Sequence, residues 1–232
     1  VFDEQRRVRN LSLLATGRAL YGLGRYKESS DFFLKVPRFT QHWFNAMYEN
    51  AWAWYKQEDY GRALGELHST TAPYFDKTHI PETYVIQGTA YFVNCQWDRV
   101  RRSISLYNET YPKMRKDIEE YLANLPEPAQ VYRDIADGGN GKYPLEIARE
   151  IRKTKQFRDF HHMMEYSTWE ASAVSNNERL NGSRLSNDLK AFIEDQRAAL
   201  EPVIGGWVTG QLKNRLALLK NFQGQIDTLD LE

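Results

Sequence analysis

Small and apolar residues recur at helical spacing along the first half of the chain, and the polar turns that interrupt them are themselves periodic. The pattern predicts a helix over about Leu11–Gly22, a turn at Leu23-Gly24-Arg25, and a second helix over about Tyr26–Lys35 closed by Pro37. Gly24 stands where a helix C-cap needs a residue that tolerates positive φ, and Pro37 cannot extend a helix. A second helical pair is predicted over 40–67 with its turn near Glu58-Asp59, and a third over 81–107 with its turn near Cys95-Gln96. Pro81 suits a first helical turn. Thr70 to Asp76 holds residues in excess of the period and belongs in a loop, where an insertion does least harm. A further helix is expected over Lys113–Asn124, ended by Pro126 and Pro128.

Three blocks align within this half: Gly17 to Tyr26, Ala51 to Tyr60 and Gly88 to Trp97. Each opens on a small residue, has Ala two positions on (Ala19, Ala53, Ala90), then a large residue, and an aromatic nine positions in. The spacings are 34 (51 minus 17) and 37 (88 minus 51). Around them fall Leu20, Ser29, Phe33 and Pro37 in the first block, Trp54, Ala63 and Leu67 in the second, and Tyr91, Val100 and Ile104 in the third. Over residues 11 to 110 the chain thereby resembles the tetratricopeptide repeat (TPR) family. The resemblance implies helical hairpins stacked into a short right-handed solenoid that binds other proteins and carries out no chemistry.

The strongest break follows at residues 138–141, where Gly138, Gly139 and Gly141 crowd one stretch. Beyond it, apolar residues again keep helical spacing, among them Ile147, Ile151, Leu189, Phe192, Ile193, Leu200, Leu212, Leu216, Leu219, Phe222 and Ile226. Asn181-Gly182-Ser183 is a turn between two long antiparallel helices, and Pro202 with Gly205-Gly206 a kink or second break. The expected organisation is therefore all-α: a lead-in over 1–10, a TPR domain over 11–137 (repeats 11–37, 40–67 and 81–107, then the helix 113–124), a linker at 138–141, and an elongated antiparallel helical hairpin, coiled-coil-like, over 142–232. A start at Val1 and an end at Glu232 without a stop signal suggest a piece of a longer or processed chain.

Composition narrows the function. The 31 basic and 31 acidic residues cancel, so no global field gathers nucleic acid or an anionic membrane. No apolar run approaches the roughly 18 residues of a membrane span. Cys95 is the single cysteine, which excludes an internal disulfide and a multi-cysteine zinc site and is compatible with the cytosol or an export route. His161, His162 and Glu165 are the one tempting metal cluster, but catalytic zinc needs three ligands and an open position, and a packed or solvated helix face is the better account. The basic run Arg149, Arg152, Lys153, Lys155 and Arg158 is interleaved with Glu146, Glu150 and Asp159 at ion-pair spacing. The glycines at 138–141 lack the Lys-Ser/Thr of a phosphate loop, no serine elbow exists, and neither a catalytic residue, a cofactor nor a metal is expected.

Within the TPR resemblance, the first helix of each hairpin lines the concave face. The family's register then implies a partner-binding groove of Arg18 and Tyr21, with Leu14; of Asn45, Tyr48, Trp52, Tyr55 and Lys56; and of Thr89 and Phe92, with Val85. Rigid aromatics flanked by cations suit a peptide or helix of a partner protein. The clamp by which chaperone-binding members hold a terminal carboxylate is not reproduced, since Leu14, Glu49, Glu82 and Ile86 stand at its positions and only Arg18 and Asn45 have suitable chemistry. Pro81 to Trp97, followed by Tyr107 to Pro112 and a long helical tail, resembles envelope-associated TPR proteins of deltaproteobacteria, including gliding-motility components, which implies a periplasmic or outer-membrane-attached scaffold. The alternative is a self-assembling structural protein whose helical tail occupies the groove, its own or a neighbour's, as a homo-oligomer.

Overall fold

Helical spacing in the sequence becomes helix throughout the computed structural model, which describes residues 2–75, 80–138, 145–180 and 182–231. Among the described residues there are ten α-helices, one short 3-10 turn at Pro73–Phe75, and no strand. The helices are α1 (Phe2–Gly22), α2 (Tyr26–Phe33), α3 (Trp43–Lys56), α4 (Tyr60–Thr70), α5 (Glu82–Val93), α6 (Trp97–Ala123), α7 (Pro128–Ala136), α8 (Leu145–Lys153), α9 (Lys155–Asn176) and α10 (Arg184–Leu231). Two compact units result, one of residues 1–108 with 224–232 and the other of residues 109–223.

In the first unit the three hairpin turns are the same object. The amide of Gly24 donates to the carbonyl of Tyr21 at 2.9 Å and that of Arg25 to Leu20 at 2.9 Å. Glu58 and Asp59 repeat this onto Tyr55 and Trp54 at 3.0 Å each, and Cys95 and Gln96 onto Phe92 and Tyr91 at 2.9 Å each. This paired pattern is the Schellman cap, which needs one residue in the left-handed region. Gly24, Glu58 and Cys95 take φ of 75°, 61° and 54°. Their spacings, 34 (58 minus 24) and 37 (95 minus 58), are those of the sequence blocks.

The small residue that opens each block is where a second element closes on the helix. A Cβ on Gly17 would lie 2.5 Å from the Phe33 ring, and the buried Ser29 hydroxyl donates to the Gly17 carbonyl at 2.7 Å, locking α2 onto α1. Ala51 is fully buried with Leu67 and Ile86, so α3 is pressed by α4 and α5. On α5, a Cβ at Gly88 would lie 3.0 Å from Cδ1 of Leu229, near the end of α10. Leu14, Phe33, Val36, Ala46 and Ala53 complete the core between the first two hairpins.

Two prolines, Pro112 and Pro202, lie inside helices α6 and α10. α6 runs through Pro112, because Tyr107, Tyr111, Met114, Ile118 and Tyr121, spaced 4, 3, 4 and 3, are all buried and hold the helix across the lost hydrogen bond. α10 likewise continues through Pro202 and both glycines, with Ile204, Val208, Leu212 and Leu219 buried. Gly205 serves a close approach: its Cβ would fall 1.6 Å from the Pro128 carbonyl oxygen at the start of α7. Pro128 at Gly205 and Arg133 at Glu201 set α7 antiparallel to α10, and Glu150–Arg215 and Phe160–Trp207 join α8 and α9 to α10. Between 165 and 200 only Ser186 is buried among the described residues, so the distal part of α9 and the start of α10 contribute little to the core. The units thus divide within α6 and α10, whereas a division at 138–141 is the sequence expectation. Of that stretch Gly138 has φ 93°, and residues 139–141 lie outside the described residues, as do Asp76 and Asn181.

Candidate functional site

The face of interest is built by first helices lying side by side. Arg18 on α1 makes a two-pronged ion pair with Glu49 on α3, at 2.7 and 2.5 Å. One helix further, the Tyr48 hydroxyl on α3 hydrogen-bonds the Glu82 carboxylate on α5, and the Trp52 indole N–H donates to Tyr48 Oη at 3.3 Å. These links tie α1 to α3 and α3 to α5.

Between α1 and α3 this face opens into a cleft of about 450 Å³, lined by Arg18, Tyr21, Phe33, Glu49, Trp52 and Lys56. Trp52 is half-buried and packs edge-on against Tyr55, ring centroids 5.7 Å apart, and Tyr55 against Tyr60 at 5.4 Å. Tyr21 packs on Tyr26 at 5.2 Å. Burial first, then Tyr26 and Glu82, push the Tyr21 phenol above its ordinary pKa; burial, then Tyr60, does the same to Tyr55. Both phenols therefore stay neutral donors at physiological pH. The Glu49 hydrogen bond raises Arg18 further, so its charge is fixed and largely matched. Lys56 is exposed and belongs to no ion pair among the described residues, leaving a free cation at the rim.

Of the residues that the sequence places in the groove, Arg18, Tyr21, Trp52 and Lys56 meet in this cleft, and Tyr48 and Tyr55 brace Trp52 from behind. Asn45 is exposed on the first turn of α3, outside the cleft lining. Thr89 is half-buried with its hydroxyl turned back to the Val85 carbonyl at 2.9 Å, and Phe92 stacks edge-on with Trp97 at 5.2 Å. Leu14 and Val85 are corrections: at 2% and 6% exposure they are core, because their helical positions face the neighbouring hairpin. Phe33 and Glu49 complete the cleft and were not among the groove candidates. Glu49 had a signal in its spacing. With a repeat of 34, a residue 31 after Arg18 sits one helical turn before the equivalent position on the adjacent first helix.

The second unit carries an open concavity of about 650 Å³ lined by Asp159, His162, Met163, Glu165, Tyr166 and Trp169. His161 Nδ1 lies 3.1 Å from Tyr132 Oη and its ring stacks on Phe157, while Glu165 is shared between His161 at 3.6 Å and His162 at 3.1 Å. Among the described residues no group of three or more His, Cys, Asp or Glu is arranged to hold a metal. In the basic run, Lys155 pairs with Asp159 at 3.5 Å, and Glu150 pairs with Arg215 of α10 at 3.0 Å. No helix among the described residues is long and apolar enough to cross a membrane. No family model, curated protein or solved structure matches the chain.

Proposed function

We propose that this protein is a non-catalytic interaction scaffold, built on TPR-like hairpins, whose α1–α3–α5 face grips a peptide or helix of a partner protein. The cleft of Arg18, Tyr21, Phe33, Glu49, Trp52 and Lys56 carries the proposal. It joins pre-ordered aromatic surface to one unmatched cation, and a rigid aromatic buries area at low entropic cost. An apolar anchor seated on Trp52 and Phe33, with an acidic group at Lys56, is the complementary chemistry. On α9, Met163, Tyr166 and Trp169 lie exposed at three-residue spacing, a surface for a second partner or a second copy. The placing of this assembly in the cell envelope, in motility machinery, rests on the resemblance carried by Pro81 to Trp97, Tyr107 to Pro112 and the long helical tail.

In the alternative, the helical tail fills the groove. The tail residues that belong to the first unit, 224–231, meet Gly88 on α5, whereas the cleft lining comes from residues 18 to 56, which favours an open cleft. Photo-crosslinking from position 56 in the full-length protein in its native cells distinguishes the two. A discrete adduct to another protein supports the scaffold. Adducts confined to the chain's own residues beyond 142 would replace it with the self-filled groove.

A further inference from the structure

Unit 1 contains a second concavity, of about 510 Å³, lined by the 33–39 segment, α3, α4 and the turn after α4. Its wall is a closed cycle of four aromatic rings. Phe39 meets Trp43 at 4.8 Å, Trp43 meets Phe75 at 5.5 Å, Phe75 meets Tyr74 at 4.8 Å, and Tyr74 meets Phe39 at 5.9 Å. Phe39 is held at φ 63°, unusual for a bulky residue, and both it and Tyr74 remain largely exposed, at 72% and 68%. Such backbone strain persists only where the surroundings impose it.

The floor is polar and incomplete. Asn50 is 1% exposed; its amide N–H donates to Glu66 Oε1 at 2.8 Å, and its carbonyl oxygen has no hydrogen-bond partner. Glu66 is half-buried and belongs to no ion pair among the described residues. Arg38 at the exposed rim, with Tyr74, is the remaining charged or titratable group of the lining, and it acts on Glu66 from beyond ion-pair distance. A buried acceptor without a donor, and a desolvated carboxylate whose nearest cation, Arg38, stands beyond ion-pair distance, are both costly, and one ligand group relieves both.

We infer that this aromatic-walled cavity is a binding site for an ammonium or guanidinium group on an aliphatic stem. The cation donates N–H to Asn50 Oδ1 and Glu66, and the stem and charge lie against the ring faces, which attract cations through their quadrupole. The chemistry can come from an arginine or lysine side chain of a partner or from a free amine. Phe33 lines both concavities, but Arg18, Tyr21, Glu49, Trp52 and Lys56 line none of this one, so the polar groups of the two sites are different.

Burial raises the Glu66 pKa against the opposing pull of Asn50 and Arg38, so affinity falls as pH is lowered through its titration. The test is calorimetric titration of the full chain with agmatine, with a pentapeptide Ala-Ala-Arg-Ala-Ala, and with the same peptide carrying norleucine for Arg. Saturable binding of either cationic probe is expected, weakened at least tenfold in Glu66→Gln and in Phe39→Gly, a variant whose backbone strain is relieved rather than increased. Tighter binding of the peptide assigns the site to a partner's side chain, and tighter binding of agmatine to a free amine. Equal binding of the norleucine peptide, affinity unchanged in both folded variants, or no binding of either cation would overturn the inference.

Discussion

At residue scale, the positions that matter most are those with no room or the wrong conformation. Gly17 has the Phe33 ring where a Cβ would go, so Gly17→Ala should destabilise the first unit by about 1–3 kcal/mol through overpacking, visible as a lowered Tm. Glu58 occupies the conformation that Gly24 fills in the first hairpin, and its side chain is exposed. Glu58→Gly should therefore stabilise by roughly 0.5–1 kcal/mol, and an unchanged denaturant midpoint would count against left-handed strain at that turn. Trp52 lines the cleft, and on the scale of a buried interface anchor Trp52→Ala should weaken partner binding by about 2 kcal/mol. Because Trp52 also packs on the Ala51, Leu67 and Ile86 cluster, the exposed Lys56→Glu should lower affinity at unchanged Tm and so separate recognition from folding.

His68 adds a pH dependence at the same scale. Its ring lies 2.6 Å from Tyr91 Oη, and burial, with Arg99 and Arg102, lowers its pKa below the ordinary 6.5. A depressed folded pKa means that the unfolded chain binds the proton first. The contribution of His68 is then complete above pH 6.5 and is lost as pH falls through the folded value. Glu66 and Glu82, raised by burial, have the opposite sign: theirs is complete below pH 4.5 and lost as pH rises through their folded values. Thermal unfolding followed between pH 7.5 and 5 should show His68→Gln gaining on the parent chain as pH falls. A constant difference would remove His68 from the linkage.

Elements are decided by cooperation along a face. Three hairpins end in the same Schellman cap although only the first supplies a glycine there, since the apolar faces of α3 and α5 fix where their chains must turn. The same cooperation carries α6 through Pro112, with buried Tyr111 beside it. In α10 the need is for absence of a side chain. Gly205→Ala would drive Cβ into the Pro128 carbonyl and force α7 and α10 apart, so it should cost about 3 kcal/mol and loosen the Arg133–Glu201 pair. Retained Tm would mean that the two helices are not in the close register described.

For the molecule as a whole, one unit is built from two separate stretches of the chain. Residues 224–231 belong with residues 1–108, Ile226 is 1% exposed and Leu229 covers Gly88. A chain ending at Gln223 should lose roughly the stability of one buried isoleucine, about 3 kcal/mol, and show faster hydrogen exchange across α5. Exchange in α5 equal to that of the full chain would leave α10 without a capping role. A cut at residue 137, the division the glycine cluster suggests, would uncover the same face.

Sequence alone determined the all-helical class, the positions of the three hairpins and their turns, and the period that sets them side by side. These depend on spacing within some 40 residues, where apolar periodicity, small residues and Gly24 act locally. The register implied by the TPR resemblance assigns Arg18, Tyr21, Trp52 and Lys56 to one face, and these four residues line one cleft. Tertiary structure decided what distant chain segments do. It put Leu14 and Val85 in the core, gave Glu49 to Arg18, enlisted the inserted loop's Tyr74 and Phe75 as walls of a cavity, and brought Leu229 onto Gly88. It carried α6 through Pro112 and α10 through Pro202, since a local preference of a few kcal/mol yields when a whole helical face is buried.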